Sequence, residues 1–289
     1  MKAPPLEFVR AATLNDVFAT FEHHGDEARI VAGGQSLMPI LNMRLAAPRM
    51  LVDINHVAAL NGVSVTDGAL RIGALTRHRE LGASAPVAQH APLLTLAVPH
   101  IAHPAIRNRG TFGGSLSHGD PAAELPACAI ACDALINVTS RRGDRAIKAV
   151  DFYLGVFETA LDPDEVLVSV DIPVIGAAER VAFAELARRQ GDYALVGLAA
   201  KGTVDGRILR NLRLVFFSVA DRPLMANQTM AALEGRDYSQ ETLKVAEDAL
   251  DADLQEIIGD LHASSATKRH LARVLVGRVL SQLVRSEGQ

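Results

Sequence analysis

The apolar residues of the first 55 positions predict one helix and two buried strands. Val17, Phe18 and Phe21 have helical spacing, and a helix is predicted over residues 14–24. Thr13 is placed as its N-cap and Gly25 lies just past its end. Short apolar runs at residues 28–32 and 50–54 indicate the strands. Residues 1–55 are therefore expected to form a compact βαβ-like unit.

In the middle of the chain, segments with the hydrophobic spacing of strands alternate with segments that have the spacing of helices. Residues 63–73 alternate around Asp67 and Gly68, and an Asp-Gly pair between two such runs is a strong hairpin signal. Asp120 and Pro121 suit the N-cap and first position of a helix, so a helix is expected to begin at Pro121. Short helices are also predicted at residues 79–84 and 92–101, and strands at residues 134–139, 145–150 and 165–173.

The pattern restarts near Gly176 with long alternating runs. Antiparallel strands are predicted at residues 182–186, 194–204 and 207–219, and three helices at residues 225–233, 240–250 and 266–284. Strands followed by helices are typical of an α+β domain with its own core. The expected fold class is thus α+β. A domain of residues 1–176, with subdomains of about 1–55 and 56–176, precedes an antiparallel sheet with helices in residues 177–289.

Composition narrows the class of protein. The 289 residues are 49% hydrophobic, but no apolar run reaches the roughly 18 residues of a membrane span, and the first residues lack the apolar core of a secretory signal. Two cysteines without a signal favour a reducing cytoplasm. A net charge of −4, scattered basic residues, 4% aromatics and no tryptophan argue against nucleic acid as a partner.

Two glycine pairs mark the most constrained chemistry. The first glycine segment, residues 32–36, and the second glycine segment, residues 110–115, each follow an apolar stretch and end in a serine. Glycine leaves the backbone free of Cβ atoms, so its N–H groups can approach an anion closely. Glycine pairs more often mark ordinary turns, and Ser36 and Ser115 are equally suited to cap the helices that follow. Neither segment fits G-x-G-x-x-G or the P-loop pattern.

Other reactive side chains give weaker signals. Cys128 and Cys132 are one helical turn apart, but two ligands are too few for a structural zinc site, and buried thiols are the commoner interpretation. His100, His103 and His118 bracket the second glycine segment without the spacing of a known metal motif. No metal site is therefore expected. No G-x-S-x-G nucleophile elbow and no cysteine run for a plant-type iron–sulfur centre is present, so no catalytic residue is assigned.

Several motifs together resemble one family. Ala-Gly-Gly-Gln-Ser at residues 32–36, Ile-Arg-Asn-Arg-Gly-Thr-Phe-Gly-Gly-Ser at residues 106–115 and Asp-Pro-Ala-Ala-Glu-Leu-Pro at residues 120–126 closely resemble the FAD-binding medium subunit of molybdenum hydroxylases, the xanthine dehydrogenase and carbon monoxide dehydrogenase family. The resemblance extends through residues 51–54, 166–173 and 188–194, and so covers nearly the whole chain. It implies a two-part FAD-binding domain of the PCMH type and a C-terminal domain of the carbon monoxide dehydrogenase flavoprotein type.

The resemblance also implies the positions that bind FAD. The two glycine segments would clasp its diphosphate, Glu124 would lie beside the flavin or its hydroxyls, Leu167 or Val168 would meet the cofactor through the backbone, and Tyr193 would lie against the isoalloxazine ring. The implied cofactor-binding residues are Ala32, Gly33, Gly34, Gln35, Ser36, Thr111, Phe112, Gly113, Gly114, Ser115, Glu124, Leu167, Val168 and Tyr193.

The implied activity is that of an oxidoreductase subunit. It would take electrons from the [2Fe–2S] centres of a small subunit and pass them to an external acceptor, while a large molybdopterin subunit oxidises the substrate, in a dimer of heterotrimers. The alternatives are a self-contained FAD-dependent reductase or oxidase on a related fold, and a scaffold subunit without cofactor. One departure concerns Glu185, which stands where several family members carry a lysine and would disfavour an anionic flavin and an anionic acceptor.

Overall fold

The computed structural model describes residues 2–285, so Met1 and residues 286–289, which the expected domain bounds include, lie outside its described part. The helices are α1 (Leu14–His24), α2 (Leu37–Asn42), α3 (His78–Ala83), α4 (Ala85–His90), α5 (Pro92–Ala97), α6 (Pro104–Arg107), α7 (Phe112–His118), α8 (Glu124–Ala131), α9 (Asn227–Leu233), α10 (Gln240–Asp253) and α11 (Ser265–Arg285). The strands are β1 (Glu7–Arg10), β2 (Ala28–Val31), β3 (Met50–Asp53), β4 (Val63–Thr66), β5 (Ala69–Gly73), β6 (Leu135–Ser140), β7 (Gly143–Lys148), β8 (Tyr153–Gly155), β9 (Glu158–Thr159), β10 (Val166–Pro173), β11 (Glu179–Ala187), β12 (Ala194–Asp205), β13 (Ile208–Phe217) and β14 (Leu224–Met225).

A parallel sheet in the order β1-β3-β2 forms the N-terminal part. Helix α1 has the bounds that the sequence predicts, because Thr13 and Asp16 form a capping box: the Thr13 hydroxyl accepts from the Asp16 N–H at 3.3 Å, and the Asp16 carboxylate accepts from the Thr13 N–H at 2.8 Å. The two strands that follow are confirmed, each ending one residue earlier than predicted. Parallel strands direct their carboxyl ends to one edge, and the first glycine segment begins there.

The middle of the chain forms an antiparallel sheet in the order β4-β5-β10-β6-β7. The Asp67-Gly68 hairpin is confirmed, and β10 lies at the centre because it pairs with both β5 and β6. Helix α8 packs against β12 and β13, and all its residues from Leu125 to Ala131 are buried. It begins at Glu124, so the expected start at Pro121 is wrong. The Asp120 carboxylate accepts instead from the Ala122 N–H at 2.9 Å, which stabilises a turn before the helix.

The C-terminal part is an antiparallel sheet in the order β11-β12-β13-β14 with α9 to α11 on one face. Alternate residues of its strands face opposite ways, so Val215 and Phe217 join the core of the middle part, whereas Leu214 and Phe216 join the core beneath α11. The mixture of helices with parallel and antiparallel sheets confirms the α+β class. Because the sheet is apolar on both faces, the C-terminal part is fixed against the middle part, and residues 191–193 reach the site described next.

Candidate functional site

A long cleft lies where the three parts of the chain meet. Its volume is about 730 Å³, within the usual range of about 300–1,000 Å³ for small-molecule sites. One wall contains the first glycine segment, the opposite wall contains the second glycine segment and the start of α8, and residues 165–167 and 191–193 complete the lining. The cleft therefore collects segments that are distant in sequence.

The first glycine segment offers unused backbone donors. The N–H groups of Gly34, Gln35 and Ser36 donate to no acceptor within residues 2–285. Gly34 has a φ of +72°, and the Gln35 side-chain amide donates to the Gly33 carbonyl at 2.8 Å, which fixes the turn. The Ser36 side chain makes no capping hydrogen bond to α2, so its hydroxyl also remains available. Consecutive free N–H groups in a glycine turn form a concave site suited to an anion.

The second glycine segment has a different structure from the one expected. Gly113 and Gly114 lie in the first turn of α7, and the Thr111 hydroxyl caps that helix by accepting from the Gly114 N–H at 3.1 Å. The Phe112 and Gly113 N–H groups donate to the carbonyls of Thr76 and Ala74 at 2.9 and 2.8 Å. These donors are thus already used, so the second glycine segment offers fewer free N–H groups than the first. Thr111, rather than Ser115, is the capping residue.

The glycines are required mainly by protein contacts. A Cβ added at Gly33 would lie 2.9 Å from the Gly110 Cα and closer still to the Arg109 carbonyl oxygen. A Cβ at Gly113 would lie 2.6 Å from the Ala74 Cβ, and one at Gly114 would lie 2.5 Å from the Thr111 hydroxyl. Glycine therefore lets backbone segments approach one another closely, and it shapes the cleft indirectly.

A buried histidine supports the second glycine segment from behind. His78 is 6% exposed, and burial lowers its pKa to about 4, so the imidazole is neutral at pH 7. Its Nε2 lies 3.0 Å from the Thr111 carbonyl, which can only accept, so Nε2 carries the proton. The ring also leaves no room for a Cβ at Gly110. His78 thereby fixes the backbone where the helix begins.

Two glutamates, Glu124 in the lining and Glu185 behind it, lie at one end of the cleft. Burial, followed by the charge of Glu185, raises the pKa of Glu124 to about 8. Glu185 is buried behind it, and its Oε1 lies 3.3 Å from His100 Nδ1. That contact is the main reason that the pKa of His100 is raised. Glu185 does not line the cleft itself, so the departure from lysine acts on the cleft through Glu124 and His100.

The structure brings most of the implied cofactor residues to the cleft. Its lining includes Ala32, Gly33, Gly34, Gln35, Ser36, Thr111, Gly113, Gly114, Ser115, Glu124, Leu167 and Tyr193. Phe112 is fully buried in the core and Val168 packs against the N-terminal core, so neither side chain reaches it. Sequence reasoning missed Ser117, Asp120, Phe157 and Asp192 in the lining. Asp120 and Asp192 lie within motifs that carried the resemblance, whereas nothing in the sequence singled out Phe157.

Two aromatic residues lie at the mouth. Tyr193 is 71% exposed, and Phe157 is 56% exposed with its ring 4.8 Å from the His118 ring. His118 therefore lies in the cleft lining beside an aromatic side chain. Exposed aromatic rings around a cleft provide flat surfaces against which a planar ring system can pack.

The cysteines lie away from the cleft. Cys128 and Cys132 are buried free thiols of the core, and burial raises the pKa of Cys132 to about 12. Within residues 2–285 no group of three or more His, Cys, Asp or Glu side chains is placed to hold a metal ion. No helix of that part is long and apolar enough to cross a membrane.

Comparison with known proteins places both halves of the chain. Residues 4–175 match the FAD binding domain in molybdopterin dehydrogenase, and residues 181–283 match the CO dehydrogenase flavoprotein C-terminal domain. The chain is 36% identical to the 6-hydroxypseudooxynicotine dehydrogenase complex subunit alpha of Paenarthrobacter nicotinovorans, over 98% of this chain and 95% of that protein. It is 32% identical to the carbon monoxide dehydrogenase medium chain of Hydrogenophaga pseudoflava, over 97% of this chain and 98% of that protein. A solved carbon monoxide dehydrogenase from Hydrogenophaga pseudoflava, lacking the Mo-pyranopterin moiety, superposes with a TM-score of 0.95 at 34% identity, covering 98% of each chain.

The residues of the cleft fit FAD. A dinucleotide needs an elongated cleft with donors for its diphosphate at one place and room for a planar ring at another. The free N–H groups of residues 34–36 supply such donors, and the exposed ring of Tyr193 borders the open mouth. The described chain also leaves a hydroxyl at Ser36 without a capping role. The chain therefore has the shape and the donors that this cofactor requires.

Proposed function

This chain belongs to the family of FAD-binding medium subunits of molybdenum hydroxylases, and from that premise we propose that it carries electrons from the [2Fe–2S] centres of a partner chain to an external acceptor. The observation that carries the proposal is the open cleft lined by the first glycine segment and by Tyr193. A cofactor held there keeps one end accessible at the mouth, as a carrier between two partners needs.

We propose that the first glycine segment binds the FAD diphosphate through the N–H groups of Gly34, Gln35 and Ser36. The second glycine segment faces it through Thr111, Gly113, Gly114 and Ser115. Leu167 meets the cofactor from β10, and Tyr193 packs against its ring system. Phe112 and Val168 support the walls from within the core.

Bound FAD supplies the exchange between one-electron and two-electron transfer, and the chain supplies position and charge. Glu124 lines the cleft, and burial raises its pKa to about 8, so its carboxyl group is largely protonated at pH 7. It therefore holds a proton at its carboxyl group and adds little negative charge to the site. A neutral carboxyl can donate a hydrogen bond, which a carboxylate cannot.

We propose that substrate oxidation takes place on a large molybdopterin subunit, reached through a small [2Fe–2S] subunit, in a dimer of heterotrimers. Relatives of similar identity to this chain are named for 6-hydroxypseudooxynicotine and for carbon monoxide, and the solved carbon monoxide dehydrogenase chain shares its fold. A chain that recognised such different molecules would not keep the same cleft. This supports a flavin chain that transfers electrons irrespective of the substrate.

Assembly with the partner subunits tests the proposal. The flavin absorbance of the chain is followed after substrate is added, with the large subunit alone and with both subunits present. We expect reduction of the flavin only when the [2Fe–2S] subunit is included, because it provides the path for electrons. Reduction by substrate of the FAD-loaded chain alone would contradict the proposal and favour the self-contained reductase or oxidase.

A further inference from the structure

The two walls of the cleft touch without being tied directly. No hydrogen bond joins the first to the second glycine segment in the described chain. The walls meet where Gly33 lies against the backbone of Arg109 and Gly110. This contact stops the walls from moving closer together, but it does not stop them from moving apart. Since the cofactor has to reach both walls, their separation has to be fixed by some other group.

Arg77 and Asn55 connect the walls from behind. The Asn55 side-chain amide donates to the Ala32 carbonyl at 2.8 Å, and the Asn55 side-chain oxygen accepts from Arg77 Nη2 at 2.6 Å. The other terminal nitrogen of Arg77 donates to the Arg109 carbonyl, directly before the second glycine segment. The path from Ala32 to Arg109 thus runs through two side chains, neither of which lines the cleft.

Both side chains are themselves held in place. The Asn55 amide also donates to the Asp53 carboxylate at 2.5 Å, at the end of β3. The Arg77 N–H donates to the Glu80 carboxylate at 2.9 Å, and its backbone pairs with Thr111 in an isolated β-bridge. A guanidinium anchored at its backbone and holding two acceptors has little freedom left, so the spacing it imposes is narrow.

The charge of Arg77 suits the same role. No carboxylate oxygen lies within 4.0 Å of its guanidinium in the described chain, and the charges of Glu80 and Asp53 act on it from farther away. Burial is the main cause that lowers its pKa, but a guanidinium stays charged in proteins. A partly buried positive charge without an ion pair therefore lies behind both glycine segments, where it attracts an anionic ligand.

We propose that Arg77 is a positioning residue that, through Asn55, sets the separation of the two glycine segments and so prepares the site for the FAD diphosphate. The inference rests on the assignment of the cleft as the FAD site. Removing the bridge leaves the fold of each wall intact but lets the walls shift. Each loss of positioning then raises the dissociation constant of FAD, because binding has to restore the lost geometry.

The test measures FAD affinity of the flavin-free full-length chain by fluorescence titration. Arg77→Met keeps the length of the side chain and removes its donors, and Arg79→Met removes the same charge two residues away on an exposed side chain that makes no hydrogen bond in the described chain. We expect at least tenfold weaker FAD binding for Arg77→Met and affinity within about twofold of wild type for Arg79→Met.

A double variant distinguishes a bridge from two independent supports. Asn55→Leu breaks the same path, so Arg77→Met combined with Asn55→Leu is expected to bind FAD no more than about threefold more weakly than the weaker single variant. The inference would be overturned if the double variant raised the dissociation constant of FAD by the product of the two single-variant factors. Wild-type affinity in Arg77→Met would overturn it as well. Should Arg77→Met not fold, Asn55→Leu carries the test alone, with the same tenfold expectation. Failure of the wild-type chain to bind FAD would instead refute the assignment of the cleft.

Discussion

Replacing Gly33 by alanine tests whether glycine is present there for the contact between the two walls. The added Cβ would lie 2.9 Å from the Arg109 carbonyl carbon and from the Gly110 Cα, and closer to the Arg109 oxygen. Ordinary contacts begin near 3.4 Å, and the Arg109 oxygen is the nearest atom, so the walls have to separate by about 1 Å. The obstructing atoms are all backbone, which cannot rotate away as a side chain can.

The expected magnitude follows from this overlap. Overpacking of a fixed site costs about 1–3 kcal/mol, and part of that cost falls on the cofactor-bound state because FAD has to contact both walls. We therefore expect Gly33→Ala to raise the dissociation constant of FAD by about tenfold to a hundredfold, equivalent to about 1.4–2.7 kcal/mol. The thermal midpoint of the flavin-free chain should fall by only a few degrees, about 2–4 °C per kcal/mol for a chain of this size.

The assay is a titration of the flavin-free chain with FAD, followed by quenching of flavin fluorescence and combined with thermal unfolding. Gly277→Ala is the matched control, because a Cβ at that position of α11 meets no atom within 4 Å. FAD affinity and thermal midpoint both equal to wild type in Gly33→Ala would refute the reasoning. That result would show that the walls have slack that the structure does not display.

Three further predictions concern stability, each measured by chemical unfolding. Folding raises the pKa of Glu124 from 4.5 to about 8, so the folded chain binds this proton more tightly than the unfolded chain and loses stability as the pH rises from about 4.5 to about 8. Glu124→Gln should remove this loss. Its free energy of unfolding should exceed that of the wild type by on the order of 2 kcal/mol at pH 8 and by much less at pH 5. An equal gain at both pH values would contradict it. Lys268→Met should lower the free energy of unfolding by about 2–4 kcal/mol, because Lys268 is only 4% exposed and its ammonium donates to the Ser218 carbonyl at 2.6 Å and pairs with the Asp260 carboxylate at 2.8 Å. The exposed control Lys244→Met should lower it by less than about 0.5 kcal/mol. Gly277→Ala should raise the free energy of unfolding by about 0.5–1 kcal/mol, because it removes a glycine from a helix interior without a clash. A lower free energy of unfolding would contradict this expectation.

Local signals predicted the elements that local interactions determine. Helix α1 has its predicted bounds because Thr13, Asp16 and Gly25 supply both ends from within the segment. The turn at Asp67 and Gly68 pairs β4 with β5 as expected, since both residues adopt positive φ. In each case the residues that decide the structure lie within a few positions of one another.

Tertiary contacts decided the places where the prediction was wrong. The second glycine segment has poor helix propensity, yet it begins α7 because the carbonyls of Ala74 and Thr76 hold its first N–H groups. Those partners lie more than thirty positions upstream, so no local pattern reports them. The same holds for the central position of β10, which pairs with strands before and after it in the chain. Asp120, by contrast, has two local options, a helix cap and a turn, and the sequence does not distinguish them.

The two glycine pairs meet at one cleft, but most of their glycines serve contacts within the protein. Both segments line the cleft, as the motifs implied, but only residues 34–36 present free N–H groups. Gly33 and Gly113 serve contacts between backbone segments, and Gly114 makes room for the cap from Thr111. A side chain at any of these three positions would displace protein before it displaced a ligand. Loss of FAD in a glycine variant would therefore report the position of the walls, and only changes that act on the donors of residues 34–36 can test binding of the diphosphate directly.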